Sequence, residues 1–197
     1  DKTKLLIVNF PNNPTGFNLN ISEWEFLIKA LRKHDCILLS DEVFSGLKWN
    51  RSYKDYSAAK MYEKAFSIGS ASKALSLPGL RVGWIASQQQ QTIKKIVSIK
   101  RYFSKCNDKL SEEIVRYALK NSQYIFEKNI SIIKRNWDIL KIIANKYHDY
   151  LKVVEPMFGP LATVHIDNNL SLDKFIEKLT KDHGVSILPL SLMAYEG

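Results

Sequence analysis

Short apolar runs alternate with longer amphipathic stretches through the first half of the chain. Aliphatic and β-branched residues fill the short runs, and polar or turn-forming residues end each one, a pattern typical of buried strands. The predicted strands cover 4–9, 36–39, 65–68 and 82–86. Apolar residues three and four apart predict helices over 22–34 and 57–64, the first capped by Ser22 or Asn20. This alternation predicts an α/β fold with a mostly parallel sheet covered by helices.

The second half of the chain is richer in helix. Apolar residues at helical spacing predict one helix over 89–105 and a long one over 111–147, with a break near Asn121 or Asn129. Beyond them the predicted elements are strands over 152–154, 162–167 and 185–188 and a helix over 172–182 that ends before Gly184. We therefore expect two domains, a first over 1–148 and an incomplete, smaller α+β domain over 149–197.

The formal net charge of +9 raises the question of a nucleic-acid partner. Residues 91–152 hold 14 basic and 6 acidic side chains, so most of the excess lies in the helical half. Lysines outnumber arginines 23 to 6, whereas a dedicated phosphate-binding surface favours the planar fork of arginine. We interpret the charge as a solvated lysine-rich face and expect no nucleic-acid partner.

Other compositional features point to an ordinary soluble protein of the cytoplasm. Apolar residues make up 45% of the chain, yet no run approaches the roughly 18–20 residues of a membrane span, and we expect no leader peptide. Cys36 and Cys106 are too few for a disulfide framework, which fits a reducing compartment. The histidines lack the spacing of metal ligands, so we expect no metal site.

Three polar groups follow predicted strands in a fixed order. The first is the turn Asn-Asn-Pro-Thr-Gly at 12–16, the second is Asp41, and the third is Ser-Ala-Ser-Lys at 70–73, with Arg81 eight residues beyond the lysine. In an open α/β sheet, ligands bind just past the carboxyl ends of the strands. We therefore expect the three groups to converge on one rim of the sheet.

The third group combines an amine with phosphate-binding groups. Lys73 follows a small, polar turn, and a lysine held near cations and partly desolvated becomes a nucleophile for carbonyl carbon. Arg81 lies between Gly79 and Gly83, which permit close backbone approach. A guanidinium and serine hydroxyls such as that of Ser70 are usual donors to phosphate. The alternative for Arg81 is a surface ion pair.

The other two groups supply a carboxylate and an amide. Asp41 follows a buried run, where a carboxylate needs a partner, and a protonated pyridine nitrogen is a suitable one. A helix cap, or a salt bridge to Arg81 or a lysine, is the alternative. Asn13 is a typical turn residue, and it also has an amide to donate to a ring oxygen. Together the three groups are the parts needed to hold an aromatic aldehyde cofactor.

This set of motifs resembles that of the fold-type I pyridoxal-phosphate (PLP) enzymes, and among them the class I/II aminotransferases. The resemblance covers residues 4–87 and, with fewer matching residues, 150–190. It implies that 1–148 is the latter part of a PLP-binding large domain with connecting helices. Residues 149–197 are then an incomplete C-terminal small domain, so the chain resembles an internal and C-terminal fragment of the family.

The resemblance also implies a role for each candidate residue. Asn13 is expected to hydrogen-bond the phenolic oxygen of pyridoxal 5'-phosphate, and Asp41 to pair with its protonated ring nitrogen. Lys73 is expected to form the Schiff base and to move the proton at the substrate's α-carbon. The residues implied to bind the cofactor's phosphate are Ser70, Ser72 and Arg81.

Two departures from the family pattern affect what we expect of this chain. Phe44 stands where the family usually has a tyrosine whose hydroxyl also bonds the phenolic oxygen, a bond worth about 0.5–1.5 kcal/mol. Family members are also roughly twice as long. Their other parts supply a second phosphate loop, an aromatic ring stacked on the pyridine and a substrate-binding arginine, so we expect the isolated fragment to be inactive.

Three functions remain open on the sequence. The first is an aminotransferase that moves an amino group between an amino acid and a 2-oxo acid, a homodimer in its full-length form as the resemblance implies. The second is another PLP enzyme on the same scaffold, such as a carbon–sulfur lyase or an amine-forming synthase, because cofactor motifs do not select the reaction. The third is a non-catalytic remnant or scaffold.

Overall fold

The protein is described by a computed structural model that covers residues 2–167 and 171–193. Residue 1 of the first predicted domain lies outside the described residues. So do residues 168–170 and 194–197 of the second predicted domain. The strands are β1 Leu5–Asn9, β2 Ile37–Asp41, β3 Ala65–Ser70, β4 Gly83–Ser87, β5 Leu151–Val154 and β6 Thr163–Ile166. The helices are α1 Ile21–Lys33, α2 Ala58–Met61, α3 Gln90–Phe103, α4 Lys109–Lys120, α5 Ser122–Lys146 and α6 Leu172–His183.

The first four strands form one sheet in the order β1-β2-β3-β4, and β5 and β6 form a separate antiparallel pair. Strands β1, β2 and β3 are parallel, and β4 runs antiparallel to β3 at the edge. The prediction of a mostly parallel α/β sheet is therefore confirmed. The carboxyl ends of the three parallel strands meet at one rim, where Asn9, Asp41 and Ser70 are the last strand residues.

One face of this sheet carries the main core. Helix α1 begins at a capping box, in which Asn20 Oδ1 accepts from the Glu23 backbone N–H at 3.0 Å and Glu23 Oε2 accepts from the Asn20 N–H at 2.8 Å. Its Trp24 is fully buried. The buried residues that pack together are Trp24, Ile28, Leu31, Cys36, Leu38, Ala58, Tyr62 and Ala65. This cluster fixes α1 and α2 over the sheet.

The opposite face of the sheet is apolar but largely uncovered in the described part of the chain. Alternation and register place Leu5 and Ile7 of β1, Ile37 of β2 and Ile85 of β4 on it. Their exposed fractions are 47%, 65%, 41% and 43%. Sheets of parallel strands are normally buried on both faces. Asp41 and Ser70 stand at the rim end of this same face.

The two long predicted helices are present, and their break falls at Asn121, one of the two predicted positions. Helix α2 is shorter than predicted because Tyr62 leaves the helix with extended backbone, buries its ring and donates its hydroxyl to Cys36 O at 2.6 Å. Helix α6 ends before Gly184, as predicted, and Gly184 has a left-handed backbone.

The predicted strand over 185–188 is wrong, because these residues form no regular element. Thr180 Oγ1 donates to Val185 O at 3.2 Å, so the chain after Gly184 stays bonded to α6 and no ladder forms beside it. An apolar run without a neighbouring strand has no partner for its backbone groups. Among the described residues, no helix has the length and apolar character needed to cross a membrane.

Candidate active site

The turn at 12–16 is closed by its own hydrogen bonds. The Gly16 backbone N–H donates to Asn12 O at 2.9 Å, and Thr15 Oγ1 donates to Asn12 Oδ1 at 2.7 Å. Asn13 is exposed at the tip, and its side-chain amide has no hydrogen bond to any residue within 2–167 or 171–193. The turn thus presents a free amide at the rim of the sheet.

Asn9 connects this turn to Asp41. Its Oδ1 accepts from the Asn13 backbone N–H at 2.6 Å, and its Nδ2 donates to the Asp41 backbone O at 3.2 Å. The Phe10 backbone N–H donates to the same carbonyl at 3.1 Å. Asn9 was not predicted as a site residue, although an asparagine ending an apolar run was a signal available in the sequence.

Asp41 is half-buried at the end of β2. Its Oδ1 accepts from the Val43 backbone N–H at 3.1 Å, a local bond that orients the carboxylate. Within the described chain it forms no ion pair with Arg81 or with a lysine, and it caps no helix. Both structural alternatives offered for Asp41 are therefore absent from this part of the chain, and the carboxylate keeps acceptor capacity for a ligand.

The loop that carries Lys73 is anchored by apolar packing on both sides of the lysine. Ala71 and Leu75 are buried in a cluster with Val115 and Ala118 of α4. The Lys73 side chain itself is exposed, and its Nζ has no ion pair or hydrogen bond among the residues that the structure describes. The fold therefore holds the loop and leaves the amine free.

The backbone that follows Arg81 runs beside the backbone of Ser70 and Ala71. Ser70 pairs with Gly83 across β3 and β4, and the Ala71 backbone N–H donates to Val82 O at 3.1 Å. Arg81 has a left-handed backbone with φ 55° and is exposed, and its Nη1 donates to Pro78 O at 3.0 Å. Ser70 Oγ accepts from the Ser72 backbone N–H at 3.1 Å.

The structure therefore brings the predicted residues to one rim without bonding all of them together. Asn13 and Asp41 are linked through Asn9, and Ser70 and Ser72 are linked directly. No hydrogen bond joins Arg81 or Lys73 to the other site residues in the described chain. The guanidinium is held by its own loop, and it has no ion pair with any residue in 2–167 or 171–193.

Glu42, next to Asp41, is a buried carboxyl that sequence reasoning did not single out. Its Oε1 accepts from Ser67 Oγ at 2.6 Å and from the Ala58 backbone N–H at 2.8 Å. Burial raises the pKa of this carboxyl, and the hydrogen bonds from Ser67 and Ala58 offset part of that rise. Glu42 thus joins the end of β2 to β3 and to the first residue of α2.

This raised pKa predicts the sign of a pH effect on stability. Because the folded pKa lies above the unfolded one, the contribution of Glu42 to stability is fully present below the unfolded pKa of about 4.5 and is lost as pH rises through the folded pKa. We therefore expect the free energy of unfolding of Glu42→Gln to increase, relative to that of the unmodified chain, as pH rises from about 4 to 7. Urea unfolding at several pH values measures this difference.

The control for this experiment is Glu63→Gln. Arg32 lowers the pKa of Glu63, so the sign is opposite, although Glu63 is exposed and its effect is small. Parallel stability curves for Glu42→Gln and the unmodified chain across pH 4 to 7 would contradict the assignment.

The turn at 12–16 and the loop that follows β2 both contact the segment 156–159. The Phe158 backbone N–H donates to Gly16 O at 3.0 Å, and the Gly159 N–H donates to Leu47 O at 2.9 Å. Trp49 Nε1 donates to Gly159 O at 2.8 Å. The ring of Phe44 is only 2% exposed and lies against Gly159, where an added Cβ would be 3.3 Å from it. Phe44 is therefore a packing residue without a hydroxyl to offer the rim.

Comparison with known proteins identifies the family. The profile of the family described as aminotransferase class I and II matches residues 1–197. The chain belongs to this family. This match confirms the resemblance inferred from the motifs. Class I/II aminotransferases use pyridoxal 5'-phosphate as their cofactor.

Individual relatives match the chain over all or nearly all of its length but over only part of their own. The aromatic-amino-acid aminotransferase 2 of Thermococcus litoralis is 26% identical over 100% of this chain and 51% of that protein. The capreomycidine synthase of Streptomyces vinaceus is 25% identical over 96% of this chain and 48% of that protein. The crystal structure of an aromatic aminotransferase from Pyrococcus horikoshii OT3 has a TM-score of 0.87 and 27% identity, covering 98% of this chain and 52% of that one. The chain spans about half the length of these relatives.

The donor set of the rim fits this family's cofactor. Pyridoxal 5'-phosphate presents an aldehyde, a protonated ring nitrogen, a phenolic oxygen and a phosphate. The rim offers an exposed amine without an ion pair, a carboxylate without a cation, a free amide, two hydroxyls and a guanidinium within the described residues. Each feature of the cofactor has a chemically matched group here.

Proposed function

We propose that this chain carries the lysine-bearing part of the pyridoxal 5'-phosphate site of an aminotransferase, which transfers an amino group between an amino acid and a 2-oxo acid. The observation that carries the proposal is the convergence of Asp41, the Asn13 turn and the Lys73 loop on one rim. The cofactor, when bound, supplies an electron sink for the negative charge that develops at the substrate's α-carbon.

Lys73 is proposed to hold the cofactor covalently through Nζ and to move the proton at the substrate's α-carbon. An amine must be reachable and unpaired to attack an aldehyde, and Lys73 is exposed without an ion pair in the described chain. When released from the cofactor, the same amine would serve as the base that takes and returns that proton.

Asp41 and Asn13 are proposed to orient the ring. A carboxylate held by the Val43 N–H at 3.1 Å keeps a fixed direction, and pairing with the ring nitrogen favours the protonated form of that nitrogen. The Asn13 amide is free at the tip of its turn and is proposed to donate to the phenolic oxygen. Because Phe44 has no hydroxyl, the usual second donor to that oxygen is missing.

Ser70, Ser72 and Arg81 are proposed to bind the phosphate. Ser70 and Ser72 are already adjacent through the 3.1 Å bond between Ser70 Oγ and the Ser72 N–H. Arg81 lies nine residues after Ser72, and its exposed guanidinium retains donors beyond the one used on Pro78 O. Hydroxyls and a guanidinium form charge-assisted bonds with a phosphate.

The assembly and location of the whole protein are also proposals. Two domains, 1–148 and 149–197, agree with the separate two-stranded sheet of β5 and β6. A homodimer is supported by exposed apolar side chains on α3 and α4, among them Tyr102, Phe103 and Tyr117, with exposed fractions of 91%, 86% and 69%. The free thiols of Cys36 and Cys106 fit the cytoplasm.

The proposal is tested by mapping where the cofactor attaches. The chain is incubated with pyridoxal 5'-phosphate and reduced with borohydride, and the adducts are located by mass spectrometry. We expect Lys73 to carry most of the adduct although the chain has 23 lysines. Labelling spread over the exposed lysines in proportion to their accessibility would reject the site. Aminotransfer is tested separately on the full-length protein loaded with cofactor, by measuring the 2-oxo acid released when an amino acid is added.

A further inference from the structure

The turn after Lys73 has an unusual backbone. The Ser76 N–H donates to Lys73 O at 3.0 Å, and the Leu77 N–H donates to Ala71 O at 3.0 Å, so residues 71–77 form a compact loop around the lysine. Ser76 has φ 56°, the left-handed conformation that side-chain-bearing residues adopt at a cost. Such a turn persists only when surrounding groups hold it.

Asn129 of α5 supplies that support from outside the loop. Its Nδ2 donates to Ala74 O at 3.0 Å and to Ser76 Oγ at 2.8 Å. The amide nitrogen has two protons, and each has one acceptor on the turn. These are the hydrogen bonds by which an α5 side chain contacts the turn in the described chain, and they reach across 55 and 53 residues of sequence.

We infer that Asn129 is a positioning residue for Lys73, which fixes the direction in which the amine leaves the loop. The inference rests on the proposed role of Lys73 as the cofactor lysine. Ala74 is the next residue after Lys73, and the Ser76 backbone N–H donates to Lys73 O, so Asn129 holds one residue that adjoins the lysine and one that is bonded to its carbonyl. Asn129 itself contacts no reacting atom.

Helix α5 makes this support rigid. Trp137, two turns further along the helix, is buried, and its Nε1 donates to Glu155 Oε2 at 3.2 Å. Its ring packs edge to face on Trp49 with centroids 5.5 Å apart. Asn129 therefore projects from a helix that is fixed at a second point, and the lysine turn takes its position from that helix.

The test compares Asn129→Asp with Asn136→Asp. Aspartate has the same shape as asparagine but no amide protons, so Asn129→Asp removes both donated bonds. Asn136 is exposed on the same helix, and its replacement makes the same change of charge. A third variant, Asn129→Ala, separates the loss of the bonds from the added charge. Circular dichroism and thermal melting show that each variant is folded.

Two readouts are taken on the whole chain. Hydrogen exchange without cofactor should show amides in 71–77 exchanging at least about tenfold faster in Asn129→Asp and Asn129→Ala, with α1 amides unchanged. The share of borohydride-trapped pyridoxal 5'-phosphate found on Lys73, relative to the other lysines, should fall at least about threefold in both variants and stay constant in Asn136→Asp.

The two readouts together show whether Asn129 positions Lys73 or is only a structural contact. Unchanged exchange in 71–77 would show that Asn129 does not hold the turn and would overturn the inference. Faster exchange with an unchanged share of adduct on Lys73 would show a merely structural contact and would also overturn it. If the unmodified chain shows no preference for Lys73, the proposed function fails first, which the labelling of the unmodified chain shows by itself.

Discussion

Replacing Lys73 with arginine is expected to abolish borohydride-stable attachment of pyridoxal 5'-phosphate at this position. A guanidinium stays protonated at every pH used for proteins and does not attack an aldehyde. The Lys73 side chain is exposed and has no hydrogen bond or ion pair within the described chain, so its replacement removes no stabilising contact. We therefore expect a complete loss of the adduct at residue 73 and a change in the free energy of unfolding within about 0.5 kcal/mol.

The matched control is Lys94→Arg, which changes an exposed lysine on α3. It should leave both the adduct on Lys73 and the unfolding curve as they are. Mass spectrometry after reduction and urea unfolding measure the two quantities on the same samples. An undiminished total yield of adduct in Lys73→Arg, now distributed over other lysines, would show that the chain has no selective cofactor lysine.

Replacing Gly16 with alanine is expected to lower the free energy of unfolding by about 2–5 kcal/mol. Gly16 has φ 67°, which alanine adopts only with strain. A Cβ at this position would also lie 2.4 Å from the Phe158 carbonyl oxygen and 2.4 Å from Pro156 Cβ. Because one of these atoms belongs to the backbone, relief requires the turn at 12–16 to move away from the segment 156–159.

The control for Gly16→Ala is Gly79→Ala. An added Cβ at Gly79 meets no atom within 4 Å, and we expect a change within about 0.5 kcal/mol. Urea unfolding measures both variants, and hydrogen exchange of the Phe158 amide, which donates to Gly16 O, reports on the contact itself. Equal stability of the two variants would contradict the tight approach at Gly16.

The sequence predicted the sheet well because the apolar runs were short and clearly bounded. The first four strands were placed within one or two residues at each end, and Asn20 was one of the two expected caps of α1. Asp41 and Ser70 were expected just after their strands and are instead the last strand residues. That small shift matters, since it sets their side chains on a defined face of the sheet.

The parts of the site that the sequence did not reveal depend on contacts between distant segments. Asn129 was considered only as a possible helix break, yet it reaches Ala74 and Ser76 from across the chain. Glu42 was not singled out from the sequence, and only the fold shows that it is buried against Ser67. The failed strand at 185–188 has the same cause, because a strand exists only where a neighbour is available for pairing.

The bare apolar face of the large sheet has a practical consequence for work on these 197 residues. Leu5, Ile7, Ile37 and Ile85 face solvent there, and β1 pairs only with β2 in the described chain, which leaves one row of its backbone groups without a sheet partner. Open strand edges beside apolar surface promote self-association and precipitation. We therefore expect aggregation to be the first difficulty with this chain. Detergent or a low protein concentration is needed to limit it before any cofactor is added.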